Sequence, residues 1–228
     1  MTDVSYCKIC NFPLITCICQ YRPALVSDIE FCLLTHEMEL YKSTNTGRLI
    51  ADCLPNTRNY KWHRTEPDQN LLDYIANPNY QHWLVFPTDD PQHSNRIKCF
   101  ESKEAKATGK ITSFILLDGT WQQAAKMFRK SPYLNHLPII SMDPEYRSQY
   151  TLRRKSQDHH LCTVEIASEL LNIAGEVENS SILNDYFQVF SQHYLAVKSN
   201  HAVKCKSKEM SRLIELNLSL NPGTIIGE

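Results

Sequence analysis

The stretch S-F-I-L-L-D-G-T-W-Q-Q-A-A-K-M-F-R-K, residues 113–130, decides how this chain is read. Its apolar run from Phe114 to Leu117, with Ile111 just ahead, predicts a buried strand. Asp118-Gly119-Thr120 ends the run and starts a helix, whose predicted buried face carries Trp121, Ala125 and Phe128. Gln122, Lys126, Arg129 and Lys130 lie mostly on the other faces. A carboxylate at the carboxyl end of a buried strand, just before a helix N-terminus, stands where open α/β sheets hold ligands and catalytic groups. Helix capping by Asp118 and Thr120 is the competing reading of the same residues.

Working outward, residues 29–35 form another apolar run of strand length, ending at His36-Glu37-Met38-Glu39. Asn45-Thr46-Gly47-Arg48 follows, with Gly47 supplying turn flexibility, and then a helix over 49–54 stopped by Pro55. A short helix is expected over 71–76, and strands over 83–87 and 137–142. Thr163 is a natural N-cap for a helix whose buried stripe is Val164, Ala167, Leu170, Leu171 and Ala174. A last amphipathic helix over 182–197 repeats the stripe with Tyr186, Phe187, Phe190 and Tyr194. This alternation predicts an α/β fold, a mostly parallel sheet with helices on both faces. Residues 56–69 mix Arg58, Lys61, His63 and Arg64 with Tyr60 and Trp62, as a base-stacking surface or a solvated strand or loop would. From Ser199 onward, lysines and serines predict an exposed tail.

The chain has 228 residues, enough for one full α/β domain with a small appendage, and 42% of them are hydrophobic. With 24 Lys and Arg against 25 Asp and Glu, a nucleic-acid partner is held by a local basic patch and not by overall charge. No window approaches the roughly 20 apolar residues of a membrane span, and no signal-peptide pattern opens the sequence, which predicts a cytoplasmic protein.

Four of the nine cysteines fall within the first nineteen residues. Cys7-x-x-Cys10 and Cys17-x-Cys19 are two close thiolate pairs, the ligand set of a structural zinc, with an iron–sulfur centre as the second reading. Four protein sulfurs leave no open coordination position, so the metal stands in for a core in a short segment. The six glycines never form G-x-G-x-x-G, so no Rossmann nucleotide loop is visible.

D-G-T-W-x-x-A-x-K-M at 118–127 resembles the signature of the DTW-domain family. Three further motifs agree in order: the C-x-x-C…C-x-C knuckle, N-T-G-R-L after a strand ending in H-x-x-E, and Y-x-L-R-R…L-C-T-V-E over 150–165. Departures are small: Phe12-Pro13 where Arg-Pro is frequent, Glu37 where Pro is usual after the His, Cys162 for a Ser and Ile166 for an Ala. The resemblance covers residues 7–195.

It implies a SPOUT-like fold, with a possible C-terminal knot. It also implies transfer of the 3-amino-3-carboxypropyl group of S-adenosyl-L-methionine to N3 of a tRNA uridine, releasing methylthioadenosine; the layout is similar to members that act at position 47 in the variable loop. On that resemblance Asp118, Thr120 and Trp121 form the catalytic set, and Leu117, Gly119, Arg153, Thr163 and Glu165 meet the donor. His36, Asn45, Arg48, Lys126, Arg154 and Lys155 face RNA. The implied layout is a zinc knuckle at 1–25, a catalytic domain at 26–198 and an extension at 199–228. All three carbons on a sulfonium are activated, so the bound pose selects which one transfers. Methyl transfer by a SPOUT-type enzyme is thus the neighbouring reaction, and a non-catalytic zinc-containing RNA-binding protein the alternative of another class. Uridine N3 must lose a proton to attack, and Asp118 is the candidate base, with Glu165 sharing the role or holding the donor ammonium.

Overall fold

The computed structural model describes residues 5–88, 90–141, 161–199, 203 and 206–220. Five strands run parallel in the order β2-β1-β4-β3-β5: β1 Ile29–His36, β2 Arg58–Trp62, β3 Tyr80–Val85, β4 Ile111–Asp118 and β5 Ile139–Ile140. β1 and β4 are central and nearly continuously apolar, as strands covered on both faces must be. Their side chains alternate between two cores. Phe31, Leu33, Phe114 and Leu116 face helices α1 Gly47–Cys53, α5 Thr163–Ile173, α6 Val177–Ser199 and α7 Lys208–Leu220. Cys32, Leu34, Ile115 and Leu117 face α2 Gln69–Ala76 and α4 Trp121–Lys130 on the other side. A short helix, α3 Ser102–Ala107, lies between β3 and β4.

Within the mixed basic and aromatic segment, Arg58–Trp62 form edge strand β2, with Arg58, Asn59 and Lys61 exposed. Arg58 donates to the Tyr80 hydroxyl at 3.0 Å and lies 3.5 Å from Glu30, while Trp62 is buried and donates Nε1–H to Ser131 at 2.9 Å.

Four expectations need correction. The buried face of α4 is Ala124, Met127 and Phe128, not Trp121, Ala125 and Phe128. Trp121 is 38% exposed because it opens the helix above the end of the sheet, where its ring stacks on Phe86 at 5.4 Å. Thr163 is the first residue of α5 and not its cap; Cys162 holds the extended cap position. The run at 137–142 gives only two strand residues, since Leu137 and Pro138 pack before β5 and Met142 lies outside the described residues. Much of the expected tail is α7, whose Met210 and Leu213 are buried and whose Arg212 bridges Glu178 at 2.8 Å and Asp185 at 2.7 Å on α6. The i, i+3 spacing of Met210 and Leu213 was the signal, hidden by the lysine-rich approach to it.

Residues 5–25 hold no helix or strand longer than three residues, yet Cys10, Phe12, Ile18 and Tyr21 are buried in the same core as α1, α5, α6 and α7. Among the described residues no helix is long and apolar enough to cross a membrane. The knot expected from the resemblance would depend on residues 142–160, which lie outside those described.

Candidate active site

Asp118 is the last residue of β4, and its carboxylate turns into the protein instead of onto the helix that follows. It is 3% exposed. Oδ2 accepts from Asn45 Nδ2 at 2.7 Å, and Oδ1 accepts from the Thr163 hydroxyl at 2.7 Å. Thr35, its register partner at the end of β1, also hydrogen-bonds to the carboxyl. Three segments far apart in sequence thus meet on one side chain: the turn before α1, the end of β4 and the start of α5. Burial pushes the Asp118 carboxyl above its ordinary value, and the donors Asn45, Thr163 and Thr35 pull it partly back.

Gly47 explains why the turn before α1 comes so close. A Cβ built on it would lie 2.9 Å from Cγ, Oδ1 and Oδ2 of Asp118. The glycine is needed for close approach and not for turn flexibility, since its φ is not in the left-handed region.

The neighbouring motif residues act mainly as frame. Thr120 caps α4: Thr120 Oγ1 accepts from Gln123 N at 3.3 Å, and Gln123 Oε1 accepts from Thr120 N at 2.7 Å. Gly119 abuts Gln123, whose Cβ would lie 3.0 Å from an added side chain. Leu117 is buried beneath this turn. At the start of α5, Glu165 Oε2 accepts from Cys162 N at 2.8 Å, which turns the carboxylate onto the helix N-terminus.

The residues assigned to RNA separate into two sets. His36 is buried, stacks on Trp62 at 5.5 Å and accepts from Met38 N at 3.3 Å, while exposed Lys126 lies over the Trp62 ring at 5.8 Å. Burial, then the Lys126 charge, holds the His36 imidazole below its ordinary value. Asn45 and Arg48 point inward. Asn45 serves Asp118, and Arg48 Nη1 donates to the Cys10 carbonyl at 3.2 Å. Arg153, Arg154 and Lys155 lie outside the described residues. Thr35 and Gly47 were missed as site residues; strand register alone brings the first to Asp118, and the place of the second inside the N-T-G-R-L motif was the signal that could have found it.

The cysteines form a compact set. Cys7 and Cys19 Sγ are 3.6 Å apart, Cys10 and Cys17 Sγ 3.7 Å apart, and all four lie within 4.8 Å of one another. Tetrahedral metal–sulfur bonds of about 2.3 Å require sulfur separations of about 3.8 Å, so the set fits a zinc ion. Asn11, with φ 57°, makes the left-handed turn that closes the first pair, a conformation asparagine tolerates. The backbone N–H groups of Cys10 and Ile9 pull the Cys7 thiol down to about 6, whereas burial pushes Cys17 and Cys19 up.

An α/β protein with a parallel sheet, a buried aspartate at its carboxyl edge and an N-terminal four-cysteine cluster is the class these observations define. The chain belongs to the DTW domain family, whose model matches residues 4–195. It is similar to proteins named tRNA-uridine aminocarboxypropyltransferase 2. That of Macaca fascicularis is 26% identical over 173 residues, covering 73% of this chain and 55% of the relative. That of Drosophila melanogaster is 25% identical over 178 residues, covering 73% and 65%. That of Mus musculus is 25% identical over 171 residues, covering 73% and 55%. The chain thus spans between 55% and 65% of the length of these relatives. No solved structure matches it.

Proposed function

We propose that this chain is a tRNA-uridine aminocarboxypropyltransferase that moves the 3-amino-3-carboxypropyl group of S-adenosyl-L-methionine to N3 of a uridine, at position 47 in the variable loop, and releases methylthioadenosine. Membership of the family and the printed names of the relatives support the reaction class. The observation that carries the reading is the meeting of Asn45, Asp118 and Thr163 on one buried carboxylate at the carboxyl edge of the sheet. Three of the four motifs that carry the resemblance thereby become one place.

The donor supplies a sulfonium-activated carbon. Asp118 takes the N3 proton as the nitrogen attacks; its burial raises its basicity, and Asn45 and Thr163 fix its direction. Trp121, part-exposed beside the site, gives an aromatic face for the base or the adenine. Arg153 takes the donor carboxylate as a forked partner, with Glu165 toward the ammonium. Lys126, Arg154 and Lys155 hold tRNA phosphates, and a loop uridine is presented unstacked at little cost. Cys7, Cys10, Cys17 and Cys19 hold a structural zinc ion with no position open to substrate. A cytoplasmic setting, which suits unpaired thiols, and a SPOUT-like arrangement of the donor site belong to the same proposal.

Purified protein incubated with unmodified tRNA and S-adenosyl-L-methionine tests this, by mass analysis of nucleosides and small products. A uridine gaining the aminocarboxypropyl mass together with methylthioadenosine is the expected result. Gain of a methyl mass would make the chain a methyltransferase, and tight tRNA binding with no modified nucleoside would make it a binding protein.

A further inference from the structure

A continuous set of contacts joins the cysteine cluster to Asp118. Cys10, one of the four sulfur ligands, offers its backbone carbonyl to Arg48 Nη1 at 3.2 Å. The Arg48 backbone N–H donates to Asn45 Oδ1 at 3.2 Å, and Asn45 Nδ2 donates to Asp118 Oδ2 at 2.7 Å. Thr163 closes the other side of the carboxylate at 2.7 Å. Asn45 has one acceptor and one donor in use, so its orientation is fixed only while both partners stay in place.

The Arg48 guanidinium is held by little else. It lies 5.6 Å from the Phe12 ring centroid and 5.2 Å from that of Phe190, rings that stack on each other at 5.6 Å. Its Nε and Nη2 are buried without a hydrogen-bond partner among the described residues. Its hydrogen bond to Cys10 and its contact with the Phe12 ring both come from the same knuckle turn, and its other ring contact, Phe190 of α6, is itself stacked on Phe12. That turn is a short hairpin closed by the bonds from Cys7 N to the Phe12 carbonyl at 2.7 Å and from Leu14 N to that of Ser5 at 2.9 Å, and a metal-dependent segment of this size loses its order when the metal leaves. The far end of α1 is pinned by the same segment: Arg22 Nε donates to the Asp52 carbonyl at 2.7 Å, and Leu25 N to that of Cys53 at 2.8 Å. Gly47, between Asn45 and Arg48, has no slack against Asp118.

We propose that Arg48 is a positioning residue that couples metal occupancy of the four-cysteine cluster to the geometry of the Asn45–Asp118–Thr163 centre. The metal acts on the site through Cys10, Arg48 and Asn45 without touching substrate. The coupling is reciprocal, so whatever the bound metal does for the turn, an ordered turn does for metal affinity. The inference rests on the proposed function only in taking Asp118 as the centre of the site. Its test uses neither donor nor tRNA, so its failure is distinct from failure of the transferase reading.

Amide hydrogen exchange on the full chain, zinc-loaded and chelator-stripped, gives the readout. In the unaltered protein, stripping should deprotect residues 44–50 and the first turn of α5 as well as residues 5–25, with the strands still protected. Arg48→Met should retain one equivalent of zinc, show raised exchange at 44–50 while loaded, and change no further there on stripping. By reciprocity it should lose zinc to a competing chelator about tenfold more readily. Arg48→Lys, which keeps the apolar stem and one donor toward Cys10, should fall between the two. Unchanged protection at 44–50 on stripping the unaltered protein would overturn the proposal. So would equal deprotection in Arg48→Met and the unaltered chain, or global loss of protection on stripping, which would make the metal a staple of the whole fold. The stripping arm decides the matter even if Arg48→Met does not fold.

Discussion

At the scale of single residues, Asp118 is both the most buried carboxylate of the site and the one with most partners. Asp118→Asn separates those roles. The amide oxygen still accepts from Asn45, and its NH₂ donates to the Thr163 oxygen, which reverses from donor to acceptor. The fold is therefore kept while the base is lost, and turnover should fall by about 10²-fold or more with tRNA affinity unchanged. Stability carries an independent sign. An acid whose pKa is raised by folding contributes stability below its unfolded value of 3.8 and loses that contribution as pH rises through the folded value. Thermal melts should therefore show Asp118→Asn at least as stable as the unaltered protein at pH 7, with the advantage shrinking as pH falls toward 4. Melting curves with the opposite slope would remove the desolvation account. Gly47→Ala should cost about 1–3 kcal/mol in denaturant unfolding, because a Cβ at 2.9 Å meets a carboxylate already fixed by its donors.

Between elements, one hydrogen bond ties the edge of the sheet to α4. Trp62 ends β2, and its buried Nε1–H ends on Ser131, the residue after α4. Ser131→Ala strands that donor and should lower stability by about 1–3 kcal/mol, read as a shifted urea midpoint; Ser131→Thr keeps the hydroxyl and should recover much of the loss. These elements also show where sequence was informative. β1, β4 and the start of α4 were legible because long apolar runs with sharp polar stops leave few alternatives. The buried stripe of α5 was legible by its spacing. β2 was not, since an edge strand with a polar outer face looks like a loop. The face of α4 was misjudged at Trp121 and Ala125: an N-terminal Trp is drawn to Phe86 above the sheet instead of to the core, and Ala124 and Met127 take the buried positions beside Phe128. Within the site, residue types were legible and directions were not. Asn45 and Arg48 read equally well as RNA contacts and as internal struts, and only the packing of α1 against the knuckle distinguishes them. Arg153, Arg154 and Lys155 keep their sequence reading alone.

For the whole molecule, two cores share the sheet, and the helical layer of α1, α5, α6 and α7 also takes in the knuckle. Leu213, fully buried on α7, belongs to that layer. Leu213→Ala should cost about 2–5 kcal/mol in denaturant unfolding and raise exchange at residues 16–21 as well as at α7, because Asn217 also donates to the Gln20 carbonyl at 3.0 Å. A cost under 1 kcal/mol would mean that α7 is an appendage and not part of the core.

The contacts of that layer also fix an order of events at the ribosome. The Thr16 carbonyl is met by His193 Nδ1 across 177 residues of sequence, and the Gln20 carbonyl by Asn217 across 197. At about 5–20 residues per second, the knuckle waits roughly 10–40 s between its own synthesis and that of the side chains that cover it. Its four sulfurs are complete by residue 19, so a set that fits a metal ion exists before closure. The four-sulfur set is thus made well before the side chains that enclose it, and an ion offered during translation meets it open.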